Sequence, residues 1–191
     1  LLHRPDALME PEEVAAAFDH LEQAGKVRHF GVSNQNPMMM ELLKTAVKQP
    51  LKVNQLQLSA AFTPSFEAGF HVNMEGPKAA VRDGSVFEYC RLTDTVIQAW
   101  SVLQHGYFKG NFVGKEEFVA LNQVLNDLAK KYQVTPTAIA LAWVLRYPGK
   151  MQAVIGTTKL QHVLEAGKAV TVTLTRKEWY QIYLAAGNDL P

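Results

Sequence analysis

Residues 25–34 read Gly25-Lys26-Val27-Arg28-His29-Phe30-Gly31-Val32-Ser33-Asn34, and this stretch decides the fold. Gly25 closes a segment in which Val14, Ala17, Phe18 and Leu21 recur at helical spacing. Val27 to Val32 is then a short strand candidate. Asn36-Pro37 opens a second helix, with Asn as N-cap and Pro at the first helical position. A strand set between two helices is the repeating step of a parallel sheet, because parallel strands need a crossover.

The same alternation continues in both directions. Upstream, Glu10-Pro11-Glu12-Glu13 starts a helix, with acidic side chains near its positive end. Downstream, Val53 to Leu58 reads as a strand, and 60–84, with Pro64, Gly69, Gly76, Pro77 and Gly84, as a long loop holding a short helix. A helix over Ser85 to Leu92 and a strand over Val96 to Trp100 follow. The glycine- and aromatic-containing stretch from Leu103 to Gly114 is again loop-like. Glu116 to Tyr132 is helical, with Phe118, Leu121, Leu125 and Leu128 on one face. Thr135-Pro136 caps another helix that runs to about Tyr147. Val154-Ile155 reads as a short strand turning at Gly156, and Lys159 to Ala166 as a short helix. Thr175-Arg176-Lys177-Glu178 is a capping box before a last helix carrying Trp179, Ile182 and Tyr183. About five strand-helix units result, in an α/β domain spanning residues 1–191. An open doubly wound sheet also fits the alternation, but neither a G-x-G-x-x-G nor a G-x-x-x-x-G-K-[ST] phosphate loop is present.

Composition narrows the function classes. The 191 residues carry a formal net charge of +1 with no long Lys/Arg block, so nucleic acid is not an expected partner. No apolar run approaches the roughly 18 residues that cross a bilayer, and no membrane association is expected. A single cysteine, Cys90, fits a reducing compartment and a cytoplasmic location. Cys90 lies in a helix-like stretch and is expected to be buried and inert. No histidine pair has metal-ligand spacing, and a barrel hydrolase using His3 and Asp6 would have too few ligands, so no metal site is expected. The chain opens with Leu1-Leu2-His3 followed by the turn-like Arg4-Pro5-Asp6. An apolar pair running into a loop looks like the tail of a buried strand, and upstream sequence is expected to be missing.

Several segments together resemble the aldo-keto reductases, especially bacterial members that read HRPD after the fourth strand. They are Leu2-His3-Arg4-Pro5-Asp6, the 25–34 stretch, Asn54-Gln55, Ala99-Trp100-Ser101 and Ile155-Gly156-Thr157-Thr158. G-x-V-R-x-F-G-V-S-N is a specific signal; an isolated Asn-Gln is not. The resemblance implies a (β/α)8 TIM barrel, here incomplete, with its first three strands missing. It also implies chemistry at the C-terminal mouth of that barrel. In this family NAD(P)H delivers a hydride to an aldehyde or ketone. A Tyr acid tuned by Lys and Asp protonates the developing alkoxide, and a His orients the carbonyl.

Only the His position falls within this chain, at His3. The Tyr, Asp and Lys positions would precede Leu1, so the chain alone is expected to be inactive. The resemblance assigns Ser33, Asn34 and Gln55 to the nicotinamide carboxamide and Trp100 to stacking on its ring. It assigns Ser101 and Leu103 to the start of the pyrophosphate loop. Thr157, Thr158 and His162 fall in the segment that holds the adenosine 2′-phosphate, and Glu165 faces the adenine amino group. The expected cofactor is NADP, with NAD the alternative, and the expected substrate is a small carbonyl compound.

Departures from the family pattern are specific. Gln104-His105 replaces smaller residues in the pyrophosphate loop, and Gly156 stands where many relatives have Lys. His162 stands at an Arg position and Ala166 at an Asn position, with Lys159 near enough in sequence to compensate. Neutral His does not reproduce a bidentate Arg. These departures motivate an alternative: a non-catalytic, nicotinamide-binding regulatory barrel that binds a protein partner. Plainer roles compete residue by residue. Ser33-Asn34 could serve only the following helix cap, Trp100 only the core, Thr157-Thr158 only the next helix, and His3 only its own backbone. Removing three strands from a barrel exposes sheet edges and apolar interior. A second polypeptide supplying the missing half, or self-association, is therefore expected.

Overall fold

The computed structural model describes residues 1–5, 9–66, 85–106 and 109–188. Four strands form one parallel sheet: β1 (Phe30–Ser33), β2 (Leu51–Gln57), β3 (Val96–Trp100) and β4 (Met151–Ala153). Their spatial order follows their chain order. Leu2 adds an isolated parallel bridge to Val32 and donates its N–H to the Gly31 carbonyl at 2.9 Å. Four strands and this bridge therefore stand where about five strand-helix units are expected. Among the described residues the sheet does not close on itself.

Helix starts follow their sequence signals. Helix α1 (Pro11–Gln23) opens on Pro11 and ends before Gly25, whose φ of +67° suits a residue without Cβ. Helix α2 (Pro37–Lys44) is capped by Asn36, whose side chain accepts the Met39 N–H at 2.9 Å. Helix α3 spans Val86–Leu92, and buries Cys90 completely. A 3-10 turn at Glu116–Phe118 precedes α4 (Val119–Tyr132). Thr135 caps α5 (Pro136–Leu145) through Ala138 N–H at 3.2 Å. Helix α6 covers Leu160–Gly167, and α7 covers Arg176–Ala185.

Three strands differ in their bounds from expectation, β2 running over Leu51–Gln57 rather than Val53 to Leu58. Strand β1 starts at Phe30 rather than Val27, because its partner β2 reaches only to Leu51 opposite Phe30. The last strand is Met151–Ala153 rather than Val154-Ile155. Val154 still donates its N–H to Ala99 at 2.8 Å, but the chain then leaves the ladder and exposes both side chains. Most of the predicted 60–84 loop, from 67 onward, lies outside the described residues, as do Asp6 and His71.

The core has two parts. Phe18 of α1 stacks on Phe30 of β1 with centroids 4.4 Å apart, beside Met40 and Leu43 of α2. The larger part is centred on α5, where every residue from Ala138 to Val144 is buried. A helix apolar all round belongs between layers, and α5 lies against β4, α4 and α6. Gly31 marks a close strand approach: a Cβ there would lie 2.5 Å from the Val53 carbonyl oxygen.

Candidate functional site

Strand alternation sorts the polar residues. Leu56, Ile97 and Ala99 face the helices and are buried. The opposite face carries Gln55, Gln57, Gln98 and Trp100, half-buried, and the exposed Gln152. Asn54, paired with Gln55 in the sequence motif, points the other way. Its completely buried amide donates to the Gln35 carbonyl at 2.8 Å and accepts the Gln35 N–H at 3.4 Å, holding the segment after β1.

One row crosses the sheet near its C-terminal edge. Ser33, Gln55, Gln98 and Gln152 are in register across β1, β2, β3 and β4. His3 follows the Leu2–Val32 bridge by one residue and so lies at the same level; its side chain is exposed. The buried Ser33 hydroxyl donates to the Gln55 carbonyl at 3.0 Å, and the Asn34 N–H donates to the same oxygen at 2.9 Å. Gln55 Nε2 donates to Gln98 Oε1 at 3.2 Å, and Gln98 Nε2 to Gln152 Oε1 at 2.8 Å.

Beyond this row both β1 and β3 are followed directly by a left-handed residue. Asn34 has φ +54° and Ser101 has φ +53°. Such conformations are uncommon for side-chain-bearing residues and turn the chain sharply at each strand end. Ser101 begins a small hairpin in which Gln104 bridges Asn111 and Phe112 N–H donates to Leu103 at 3.0 Å. Ser59 fixes the hairpin from β2's side, its hydroxyl donating to the Gln104 carbonyl at 2.5 Å. His105 packs on Phe118, with ring centroids 5.0 Å apart.

The hairpin, the segment after β4 and α6 enclose an open cleft of about 550 Å³. Six of the ten residues that the resemblance assigns to the cofactor line it together: Trp100, Ser101, Leu103, Thr157, His162 and Glu165. Thr157 Oγ1 lies 3.3 Å from His162 Nδ1 and accepts the Lys159 N–H at 3.2 Å. Glu165 accepts from Gln161 at 2.9 Å. Ser33, Asn34, Gln55, Thr158 and His3 are not in that lining. Asn111, Thr137 and Leu141 line the cleft and have no sequence signal of their own, since each arrives through tertiary folding of the hairpin or α5. Gln104 also lines it, and its Oε1 is buried without a hydrogen-bond partner. Among the described residues no group of three His, Cys, Asp or Glu could hold a metal. No helix of the described residues is long and apolar enough to cross a membrane.

The chain as a whole has relatives among known proteins. Residues 1–185 match the aldo/keto reductase family, and the chain belongs to that family. It is 34% identical to the 6-dehydroglucose reductase of Agrobacterium fabrum (strain C58) and 35% identical to the oxidoreductase YdhF of Escherichia coli K12. Both matches cover 100% of this chain, which spans only 57% and 58% of those proteins. Two solved structures superpose with a TM-score of 0.70: the thermostable aldo-keto reductase Tm1743 with the inhibitor epalrestat, and a Klebsiella pneumoniae aldo-keto reductase with NADPH. Sequence identities are 22% and 21%, with 96% and 95% of this chain and 57% and 55% of those chains covered. The likeness carries the fold: parallel strands and helices as in part of a (β/α)8 barrel.

Proposed function

We propose that this chain is the cofactor-binding portion of an NAD(P)H-dependent carbonyl reductase. The observation that carries the reading is the cleft at the C-terminal ends of β3 and β4, where Trp100, Ser101, Leu103, Thr157, His162 and Glu165 converge. Ligands of parallel α/β proteins bind at that end of the sheet. The residues present fit a dinucleotide: an aromatic face at Trp100, hydroxyls at Ser101 and Thr157, and the unpartnered buried Gln104 oxygen. The bound cofactor supplies a hydride to an aldehyde or ketone carbon. NADP is the proposed cofactor, with NAD the alternative.

The chain's own residues bind and orient. Ser33, Asn34 and Gln55 hold the carboxamide, and Trp100 packs on the ring and excludes water from one side of it. Ser101 and Leu103 hold the pyrophosphate end, while Thr157, Thr158 and His162 receive the adenosine phosphate and Glu165 the adenine amino group. His3 donates to the substrate carbonyl oxygen, which gains charge as the reaction proceeds. Fluorescence titration of residues 1–191 with NADPH and NADH tests the reading. Saturable binding that is lost in Trp100→Ala supports it, and no binding by either cofactor sinks it.

The fold also needs a partner surface. Helix α6 buries none of its residues, and Leu160 and Leu164 are 73% and 58% exposed. We propose that the remainder of a barrel, or a second copy of this chain, covers that face.

A further inference from the structure

We propose that Gln98 and Gln152 are positioning residues for Gln55, setting which end of its amide is offered to the nicotinamide group. The inference rests on the cofactor reading above, and it adds two residues to it.

Gln55, Gln98 and Gln152 are register partners on three adjacent parallel strands. Their side chains share one face and join end to end, at 3.2 Å and 2.8 Å. A barrel interior is ordinarily filled by branched apolar side chains. Three consecutive amides in one row are a departure, and the half-buried Gln55 and Gln98 bear a cost unless they find partners. The ladder supplies those partners and couples the three groups.

An amide has a donor end and an acceptor end, and a ladder of amides therefore has a direction. In the observed arrangement every Nε2 donates toward β4. Gln55 then spends an N–H on Gln98 and keeps Oε1 free. Reversing one amide alone would set two donors or two acceptors against each other, so the row reverses together or not at all. Gln152 is exposed on the strand at the end of the row and decides the direction. A free Gln55 Oε1 recognises an N–H donor, such as a carboxamide, and repels a carboxylate at the same place.

The test uses the protein carrying its full-length sequence, with NADPH and its nicotinic acid counterpart as probes. Gln152→Glu can only accept and locks the observed direction. Gln152→Lys can only donate and forces the reverse. The preference for the amide over the acid cofactor, read as a ratio of Kd values, is expected to be about threefold to tenfold lower in Gln152→Lys than in Gln152→Glu, the worth of one hydrogen bond. In a Gln98→Leu background that difference disappears. If the difference persists in that background, it comes from charge alone and the proposal is overturned; equal ratios in both variants with Gln98 present overturn it as well. Failure of every variant and the wild type to bind either probe refutes the cofactor reading instead. In that case the Gln55 side-chain 15N resonance decides the ladder. A shift between the two Gln152 variants that requires Gln98 supports coupling, and identical resonances overturn it.

Discussion

Trp143 of α5 and Trp179 of α7 hold each other reciprocally. Each indole N–H donates to the other residue's backbone carbonyl at 3.0 Å, and the rings stack 4.8 Å apart at an interplanar angle of 9°. The Trp179 carbonyl lies within α7, whereas the Trp143 carbonyl lies in the last turn of α5, where carbonyls lack a helical donor and the Trp179 indole supplies one. The pair locks the last helix onto the buried one, and α5 in turn lends Thr137 and Leu141 to the cleft. Trp179→Phe removes one bond and keeps most of the apolar area. It is expected to destabilise by about 1–2 kcal/mol, and Trp179→Ala by about 3–5 kcal/mol. Urea unfolding monitored by far-UV circular dichroism measures both; equal costs for the two variants would contradict the role of the stacked ring.

Glu178 gathers the charges that fasten α7 to α4. It accepts from Lys131 at 2.6 Å, from Tyr132 at 2.8 Å and from the Thr175 backbone N–H at 2.8 Å. Burial pushes its carboxyl up, but the bonds from Lys131, Thr175 and Tyr132 outweigh it and bring the pKa from 4.5 down to about 2. A depressed carboxylate pKa contributes stability that is full above the unfolded value and is lost as pH falls through the folded one. The acid-sensitive window is therefore between about 4.5 and about 2. Glu178→Gln is expected to cost roughly 1–2 kcal/mol at neutral pH and to flatten the acid limb of the stability curve over that window. Urea midpoints measured from pH 6 to pH 2 check it, and an unchanged acid limb would contradict the assignment.

Gly31 is fixed by its neighbours rather than by its backbone angles. Its missing Cβ would meet both the Val53 carbonyl oxygen at 2.5 Å and the Val53 Cβ at 2.8 Å. Backbone on a paired strand cannot move aside cheaply. Gly31→Ala is expected to cost about 1–3 kcal/mol. Because Ser33 ends the same strand and Asn34 follows it, the substitution should also weaken cofactor binding. Thermal melts and NADPH titration of this variant measure the two effects separately.

Local signals were legible and long-range ones were not. Asn36, Thr135 and the Thr175–Glu178 box each cap a helix as their sequences indicate, because a cap is made within four residues. Strand ends are decided by the neighbouring strand, so Val154-Ile155 looked like a strand although the ladder stops at Ala153. The same limit applies to the site. Trp100, Thr157 and His162 carried a motif, whereas Asn111 and Leu141 reach the cleft only through folding of distant segments. Alternation alone could have separated Asn54 from Gln55, since neighbours on a strand face opposite sides.

His162 offers a direct test of cofactor choice. It lines the cleft beside Thr157, and its ring presents fewer, less forked donors than a guanidinium. His162→Arg is expected to raise the preference for NADPH over NADH by about tenfold, through charge-assisted bonds to the 2′-phosphate. Isothermal titration with both cofactors gives the ratio. An equal gain for NADH would remove the 2′-phosphate from this position.

Helix α6 is poorly covered by its surroundings and buries none of its residues. Leu160, Val163 and Leu164 lie on it at helical spacing, and Val170 follows at 78% exposed. Its companion strand β4 has β3 on one side and, among the described residues, no strand on the other. An apolar helix face beside an open strand edge favours association. Residues 1–191 alone are therefore expected to sediment as a dimer or larger species at micromolar concentration. Leu160→Glu with Leu164→Glu should shift that population toward 21.3 kDa. If residues 1–191 run as a well-behaved monomer that binds NADPH, the exposed face needs no cover, and both the self-association and the missing-half readings lose their support.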